Sequence, residues 1–170
     1  IGRGLTVGDD VEIIDATDRL VMPGFVNAHH HLWQTGLRSL AGNWTSPDYH
    51  RNVHGNIAPR YQPHDSYLGG LIGALGQIDS GTTTVLDWCH NNSTPDHTDA
   101  SIDALEEAGI RAVFGHGSVK PPTQEGGKPF SEVPHPRGDA ERVRTGRLAA
   151  DDALVTMALA IKGPDYSTID

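Results

Sequence analysis

The sequence predicts an α/β fold in which parallel strands alternate with helices. Strand-like and helix-like segments follow one another from residue 24 to residue 164, and polar residues, several of them histidines, stand where strands end. Such alternation indicates parallel strands joined by crossover helices, and two folds fit it: a (β/α)8 barrel and a doubly wound open sheet. Neither G-x-G-x-x-G nor G-x-x-x-x-G-K-[ST] follows any of the strands, so nothing positively supports a nucleotide-binding open sheet.

The segments before residue 24 read differently. Apolar residues at 11–14 and 20–22 predict two short strands, and the polar residues 15–19 between them predict a turn.

The alternation starts with a strand over 24–31. A helix is expected over 64–81, because its leucines and isoleucines recur at helical spacing, with Asp65 or Ser66 as its cap and Gly81 beyond its end. The remaining segments follow in order: strand 82–88, helix 99–109, strand 110–117, helix 139–151 and strand 154–164. The stretches 41–63 and 118–138 lack apolar periodicity and are expected to be long loops at the carboxyl ends of strands, the second with five prolines.

Composition narrows the class of protein. The chain has 170 residues, 36% of them hydrophobic, and a formal net charge of −9. This acidic balance argues against a nucleic-acid partner, and no apolar run has the length of a membrane span. A single cysteine, Cys89, rules out a disulfide within the chain and favours a cytoplasmic protein.

Three consecutive histidines at the end of the first strand are the strongest chemical signal. Side chains alternate along a strand, so His29 and His31 share one face while His30 points to the other. Two imidazoles spaced in this way can chelate one divalent ion such as zinc. The alternative is a chance H-x-H without a ligand, and His30 is expected to pack rather than bind metal.

Other candidates lie where strands end or shortly after them. Asp87 could orient a metal-bound histidine or act as a loop cap, and His90 and His116 could touch a substrate or be structural. Trp33 could form a pocket wall or belong to the core. Lys162, after the fourth strand, is expected to be structural or to lie at the pocket edge.

A family resemblance adds to these observations. The stretch EIIDATDRLVMPGFVNAHHHL at 12–32 closely resembles the opening of the amidohydrolase superfamily, in its s-triazine hydrolase and cytosine/guanine deaminase branch. Looser similarity continues nearly to the end of the chain, through TGLRSLAG (35–42), GQIDSGTTTVLDW (76–88), ALEEAGIRAVFG (104–115) and LAIKGPDYST (159–168).

The resemblance implies a (β/α)8 barrel with a metal at its mouth and a small β-sandwich. Residues 1–22 would belong to the sandwich and residues 23–170 to about the first four β/α units of the barrel. His29 and His31 match the first-strand metal ligands of the family, and the metal would be one zinc ion, with iron as the alternative. Gln34 lies where guanine-deaminase-like members bind a heterocycle, although a solvated loop glutamine is the other possibility.

The implied activity is metal-dependent hydrolysis of C–N bonds, and the resemblance favours deamination of a purine-, pyrimidine- or triazine-like ring. Segments matching strands five to eight of the family are missing, so the chain is expected to be part of a longer enzyme and the 170 residues alone to be inactive. The alternative is a catalytically inactive metal-binding half-barrel that needs a partner segment. The expected partners are a small-molecule substrate and either a second copy or a complementing chain, with no nucleic acid or membrane.

Overall fold

Four parallel strands form one sheet in the order β1-β2-β3-β4 in the computed structural model, which describes residues 4–120 and 129–167. The strands are β1 (Phe25–His30), β2 (Thr82–Cys89), β3 (Arg111–Gly117) and β4 (Val155–Ala160). Neighbours in sequence are neighbours in space, and a helix lies in each connection, as in successive units of a (β/α) barrel. The predicted alternation and the parallel pairing are confirmed.

Three long helices cross over between the strands, and one short helix precedes them. They are α1 (Ser46–Tyr49), α2 (Pro63–Asp79), α3 (Pro95–Ala108) and α4 (Arg137–Thr145). None of the helices in the described part of the chain is long and apolar enough to cross a membrane.

Helix α2 begins close to its predicted start. Its N-cap is Gln62 rather than Asp65 or Ser66, but the Asp65 carboxylate takes part in capping, since it accepts a hydrogen bond from the Gln62 N–H at 2.8 Å. Beyond the helix, Gly81 has φ +85°, a left-handed backbone that glycine adopts without strain.

The packing face of α2 differs from the one that its large apolar residues suggest. Leu68, Ile72, Leu75 and Ile78 are exposed, whereas Gly69, Gly70, Gly73 and Ala74 are buried. Small residues allow the helix backbone to lie directly against the chain that follows β1. The leucines and isoleucines therefore form an outward apolar surface.

The later helices begin and end at recognisable signals. Helix α3 starts at Pro95, four residues before the predicted start, because proline is well suited to the first turn. It ends at Gly109 (φ +70°), as predicted. Helix α4 stops at Thr145, before Gly146, and is shorter than predicted.

Two predictions for the irregular stretches need correction. Residues 46–60, expected to belong to a loop, form α1, a π-helical segment (His50–Ile57) and a 3₁₀ turn (Ala58–Arg60). These turns bury only Val53, His54 and Ala58, so the sequence has no apolar periodicity from which a helix could be predicted. In the second stretch, a 3₁₀ turn (Phe130–Glu132) precedes α4, and 121–128 fall outside the described residues.

Residues 4–24 form no strand, although the predicted turn is present with a hydrogen bond from the Arg19 N–H to the Ala16 carbonyl. Large apolar side chains in this segment are exposed, among them Ile14 at 83% and Leu20 at 87%. Short strands are not stable without partner strands, and the described residues supply none for them. The assignment of 1–22 to a β-sandwich remains a prediction.

Candidate metal and substrate site

The histidine pair at the end of β1 has the geometry that strand alternation predicts. The ring centroids of His29 and His31 lie 5.3 Å apart with the rings edge to face, and Trp88 of β2 stacks near His29. His30 is in register with Asp87, whose side chain is buried. All three histidines also border a groove along helix α2.

A hydrogen bond determines which nitrogen of His31 is available to a metal. Nδ1 of His31 lies 2.7 Å from the Trp88 carbonyl oxygen, and because a carbonyl only accepts, Nδ1 carries the hydrogen. Partial burial lowers the pKa of His31 despite this bond, so the ring is neutral near pH 7. Nε2 therefore presents its lone pair, which is the form that ligates metal. The donor pair fits a divalent ion such as zinc.

The pair is incomplete as a metal centre. Within residues 4–120 and 129–167, no group of three or more His, Cys, Asp or Glu side chains is arranged to hold a metal ion. Zinc usually takes four ligands, of which His29 and His31 supply two.

Two further histidines pack behind His31. The ring of His90 stacks on His31 at 4.4 Å, and that of His54 lies 4.9 Å from His90. Burial lowers the pKa of His90 to about 2 and that of His54 to about 3, so both rings are neutral at physiological pH. His90 was a predicted site residue, whereas His54 was missed; its four-residue spacing from His50 was the available signal for a helix.

Gln34 lies close to the histidine pair but is already engaged. Its Nε2 donates to the Tyr49 hydroxyl at 2.6 Å, and that hydroxyl lies 3.2 Å from Nε2 of His54. Gln34 also lines an open groove of about 790 Å³ that His29 and His31 share. This groove lies between the three histidines and helix α2, and Gln34 does not line the cavity at the strand ends.

Trp33 supports the site from the core instead of forming a pocket wall. The side chain is 1% exposed, and its Nε1 donates to Nδ1 of His90 at 3.0 Å. Of the two interpretations of Trp33, the structure favours the core residue, and the predicted contact with a substrate is not one that its position allows.

Asp87 positions the backbone rather than an imidazole. Its Oδ1 accepts from the Leu32 N–H at 2.9 Å, directly after His31, and the side chain is 2% exposed. Burial raises the pKa of Asp87 to about 7, although the hydrogen bond from Leu32 opposes the shift. The predicted direct bond to a metal-binding histidine is therefore replaced by a bond to the adjacent peptide.

His116 does not face the histidine pair. It is fully buried, and its ring nitrogens contact Asp139 of α4 at 2.9 Å and His135 at 3.2 Å. Its contact with Asp139 shows that the His116 side chain lies on the face of β3 that packs against α4. The predicted substrate contact of His116 is wrong for this reason.

A cavity of about 240 Å³ opens between the ends of the strands. Two lysines reach it, of which Lys162 donates to the backbone carbonyls of Phe130, Ser131 and Val133 and so has the structural role predicted as one of its options. The residues that line the cavity are His29, His31, Tyr49, His54, Trp88, His90, Ser118, Lys120, Phe130, Ala160, Ile161, Lys162 and Tyr166.

Comparison with protein families agrees with this geometry. The model of the amidohydrolase family matches residues 20–165, which is most of the chain. The chain belongs to the amidohydrolase family. The match includes the H-x-H pair, all four strands and the three crossover helices.

Several curated relatives of this amidohydrolase chain are deaminases. It is 34% identical over 119 residues to the 5-methylthioadenosine/S-adenosylhomocysteine deaminase of Thermococcus sibiricus, covering 70% of this chain and 26% of that protein. It is 41% identical over 111 residues to the enzyme of the same name from Acetivibrio thermocellus, covering 64% and 24%. A 5'-deoxyadenosine deaminase of Methanobrevibacter smithii is 34% identical over 122 residues, covering 70% and 26%. The amidohydrolase chain thus spans only about a quarter of the length of these relatives.

Solved structures show the same fold at low identity. Atrazine chlorohydrolase from Arthrobacter aurescens TC1, complexed with zinc, matches 86% of this amidohydrolase chain and 36% of its own, with a TM-score of 0.64 and 21% identity. An adenosine deaminase from Xanthomonas campestris with bound zinc matches 82% and 29%, with a TM-score of 0.61 and 22% identity. The amidohydrolase fold of the described strands and helices is thereby shown.

Proposed function

We propose that the protein is a metal-dependent hydrolase of C–N bonds that removes an amino group from a purine-like heterocycle. The observation that carries the proposal is the His29–His31 pair at the end of β1, with Nε2 of His31 available, in a chain of this family. The names of the curated relatives favour an adenine-type ring over a pyrimidine or triazine ring. The zinc in the related structures favours zinc over iron.

His29 and His31 would hold the metal, and further ligands would come from parts of the protein beyond the described residues. When bound, a divalent ion supplies a water whose pKa lies near neutrality. The chain itself orients the residues that would bind the metal. The Trp88 carbonyl orients the His31 ring, and the Asp87 carboxylate holds the Leu32 peptide that follows His31.

The aromatic surroundings suit a flat heterocycle. Trp88 and His90 line the cavity beside the pair, and neutral His90 adds a hydrogen-bonding edge without a charge. Gln34 offers an amide oxygen and an amide nitrogen, which match the alternating donors and acceptors of an aminopurine edge. We assign His90 to substrate binding from this cavity, and Gln34 from the adjoining groove that His29 and His31 also line.

The larger organisation follows from the same proposal. Residues 23–170 would form the first half of a barrel and residues 1–22 part of a β-sandwich, in a cytoplasmic enzyme that acts on a small molecule. The open sheet edges at β1 and β4 would be covered by the remaining barrel strands, or by a second copy or a complementing chain. Membership of a family of enzymes favours this proposal over an inactive metal-binding half-barrel.

Metal content and ammonia release test the proposal in the intact protein that contains this chain. His29→Ala and His31→Ala should each lower the zinc content sharply and abolish ammonia release from adenine nucleosides, because each removes one of two donors. Elemental analysis and an ammonia assay measure the two effects.

His30→Ala is the matched control, since His30 is the neighbouring histidine on the opposite face. It should keep its zinc. Full zinc occupancy in His29→Ala would refute the metal assignment, and a zinc-loaded protein that releases no ammonia from any aminated heterocycle would refute the deaminase assignment alone.

A further inference from the structure

Four polar side chains form a continuous hydrogen-bonded chain between β3 and α4. Ser118 Oγ lies 3.1 Å from Nδ1 of His135, Nε2 of His135 lies 3.2 Å from Nδ1 of His116, and Nε2 of His116 lies 2.9 Å from Oδ2 of Asp139. These contacts join residues that are 17, 19 and 23 positions apart in sequence. None of the four is a proposed metal ligand, although Ser118 lines the 240 Å³ cavity that His29 and His31 also line.

The hydrogens along this hydrogen-bonded series can all be donated in one direction, from Ser118 toward Asp139. Burial opposes ionisation of Asp139, but hydrogen bonds from His116, Thr98 and Arg142 outweigh it and keep the pKa of Asp139 below its ordinary value. The carboxylate therefore accepts from Nε2 of His116. In this arrangement Nδ1 of His116 accepts from Nε2 of His135. Nδ1 of His135 is then the acceptor for the Ser118 hydroxyl.

Three of the four side chains are largely shielded from solvent. His116 is fully buried, Ser118 is 5% exposed and the Asp139 side chain is 12% exposed. Partial burial, with the neighbouring His116 and Lys162, lowers the pKa of His135, so this ring is neutral near pH 7 and able to take a proton.

Ser118 lies at the end of this hydrogen-bonded series that borders the cavity. It follows β3 directly and lines the 240 Å³ cavity together with Lys120. A hydroxyl next to a histidine base that is itself oriented by a further group is the arrangement of an activated nucleophile. The ammonium group of Lys120, on the same cavity, would favour a developing negative charge.

We propose that Ser118 is a nucleophilic serine, activated by His135, His116 and Asp139, and that it reacts with acyl and phosphonyl electrophiles that enter the cavity. With a carboxylic ester, Oγ of Ser118 bonds to the acyl carbon while its proton moves to Nδ1 of His135. The bond to the alcohol then breaks, and the alcohol leaves with that proton. Water releases the acid from the acyl-serine with the same base. This esterase activity would use the same cavity as the proposed metal-dependent hydrolysis but neither of its proposed metal ligands.

The test is covalent labelling of the intact protein with a fluorophosphonate in the presence of a metal chelator. Oγ would bond to phosphorus, fluoride would leave, and His135 would take the proton. We expect one adduct per chain, located at Ser118 by peptide mapping, and no adduct in Ser118→Ala. Because the chelator removes metal, labelling of Ser118 tests the serine proposal alone. Its outcome neither supports nor contradicts the deaminase proposal.

Variants distinguish activation from a merely structural network. His135→Ala should slow labelling about a hundredfold or more, and added imidazole should restore part of the rate. Asp139→Asn should slow labelling at least tenfold, whereas Ser131→Ala, on the nearby 3₁₀ turn, should leave the rate unchanged. Circular dichroism verifies that each variant is folded. No adduct at Ser118 in the wild-type protein, or equal labelling rates in folded His135→Ala or folded Asp139→Asn, would overturn the proposal.

Discussion

At the scale of single residues, the site depends on buried groups that hold the backbone and rings in place. Asp87 is the clearest case: its carboxylate accepts from the peptide N–H that follows the histidine pair, in a position with 2% exposure. Removal from water disfavours the charged form and raises the pKa of Asp87 to about 7. The site therefore contains an acid that changes charge near physiological pH.

Asp87 should make stability depend on pH. Its pKa is higher in the folded chain (about 7) than in the unfolded chain (3.8), so between these values the folded state binds more protons. The free energy of unfolding should accordingly fall as pH rises from about 4 to about 7, by up to roughly 1.4 kcal/mol per pH unit. Asp87→Asn keeps an acceptor for Leu32 but removes the titration. Urea unfolding of both proteins across this range should show the variant gaining relative stability as pH rises.

The comparison between the two proteins isolates Asp87. The low pKa values of His54 and His90 make the chain less stable as pH falls below about 6.5, the opposite trend, but they act equally in both proteins. Parallel stability curves for wild type and Asp87→Asn would contradict the assignment.

Gln34→Ala tests the proposed substrate contact. Leaving a polar ring edge without its partner costs about 1–3 kcal/mol. The variant should therefore lose roughly ten- to a hundredfold in kcat/KM toward an aminated heterocycle while keeping its metal. Steady-state kinetics in the intact protein measures the change.

Tyr49→Phe is the informative companion to Gln34→Ala, because it removes the anchor of the Gln34 amide but keeps the amide itself. It should lose less activity than Gln34→Ala. Unchanged kinetics in Gln34→Ala would remove the residue-level reason for preferring an aminated ring as the substrate.

At the scale of elements, helix α2 determines how the segment after β1 is held. A Cβ at Gly69 would lie 2.6 Å from the Trp33 carbonyl oxygen, which is too close for an unchanged backbone. The backbone of α2 at Gly69 therefore contacts the backbone at Trp33, two residues after His31. The larger apolar residues of α2 remain exposed and available to other parts of the protein.

Gly69→Ala should destabilise the chain by about 1–3 kcal/mol, because either the helix or the Trp33 backbone has to move. Gly76 is the matched control in the same helix: a Cβ there meets nothing within 4 Å, so Gly76→Ala should stabilise by roughly 0.5–1 kcal/mol. Chemical denaturation measures both changes, and equal effects of the two substitutions would contradict the proposed close contact.

At the scale of the whole molecule, the described residues leave the outer strands β1 and β4 of the sheet each with one open edge. Val26 of β1 is 70% exposed and Leu159 of β4 is 57% exposed, whereas Phe114 in the central strand β3 is fully buried by helices. Exposed apolar residues at strand edges are typical of surfaces that pair with further strands. The described residues thus leave apolar side chains of β1 and β4 open to further contacts.

We expect no deamination by residues 1–170 alone, because their described part contains no group of three metal-ligating side chains. A purified chain of verified mass, supplied with zinc and an adenine nucleoside, should release no ammonia. The intact protein in the same assay is the positive control. Metal-dependent turnover by the isolated chain would show that the prediction is wrong.

The sequence by itself determined the order of the elements and the location of the histidine pair proposed to bind metal. Strand alternation requires no tertiary information, so the shared face of His29 and His31 was predictable, as were the strands and the glycine that ends α3. These features depend on local spacing and on the conformational freedom of glycine.

The tertiary structure alone decided which polar groups meet. Whether Asp87 bonds to an imidazole or to a peptide, and whether His116 faces the cavity or α4, depends on contacts between residues 23 to 55 positions apart. The same holds for Ser118 and His135, which no local pattern connects. Spacing along a strand specifies the face on which a side chain lies, but its partner is specified only when other elements pack against that face.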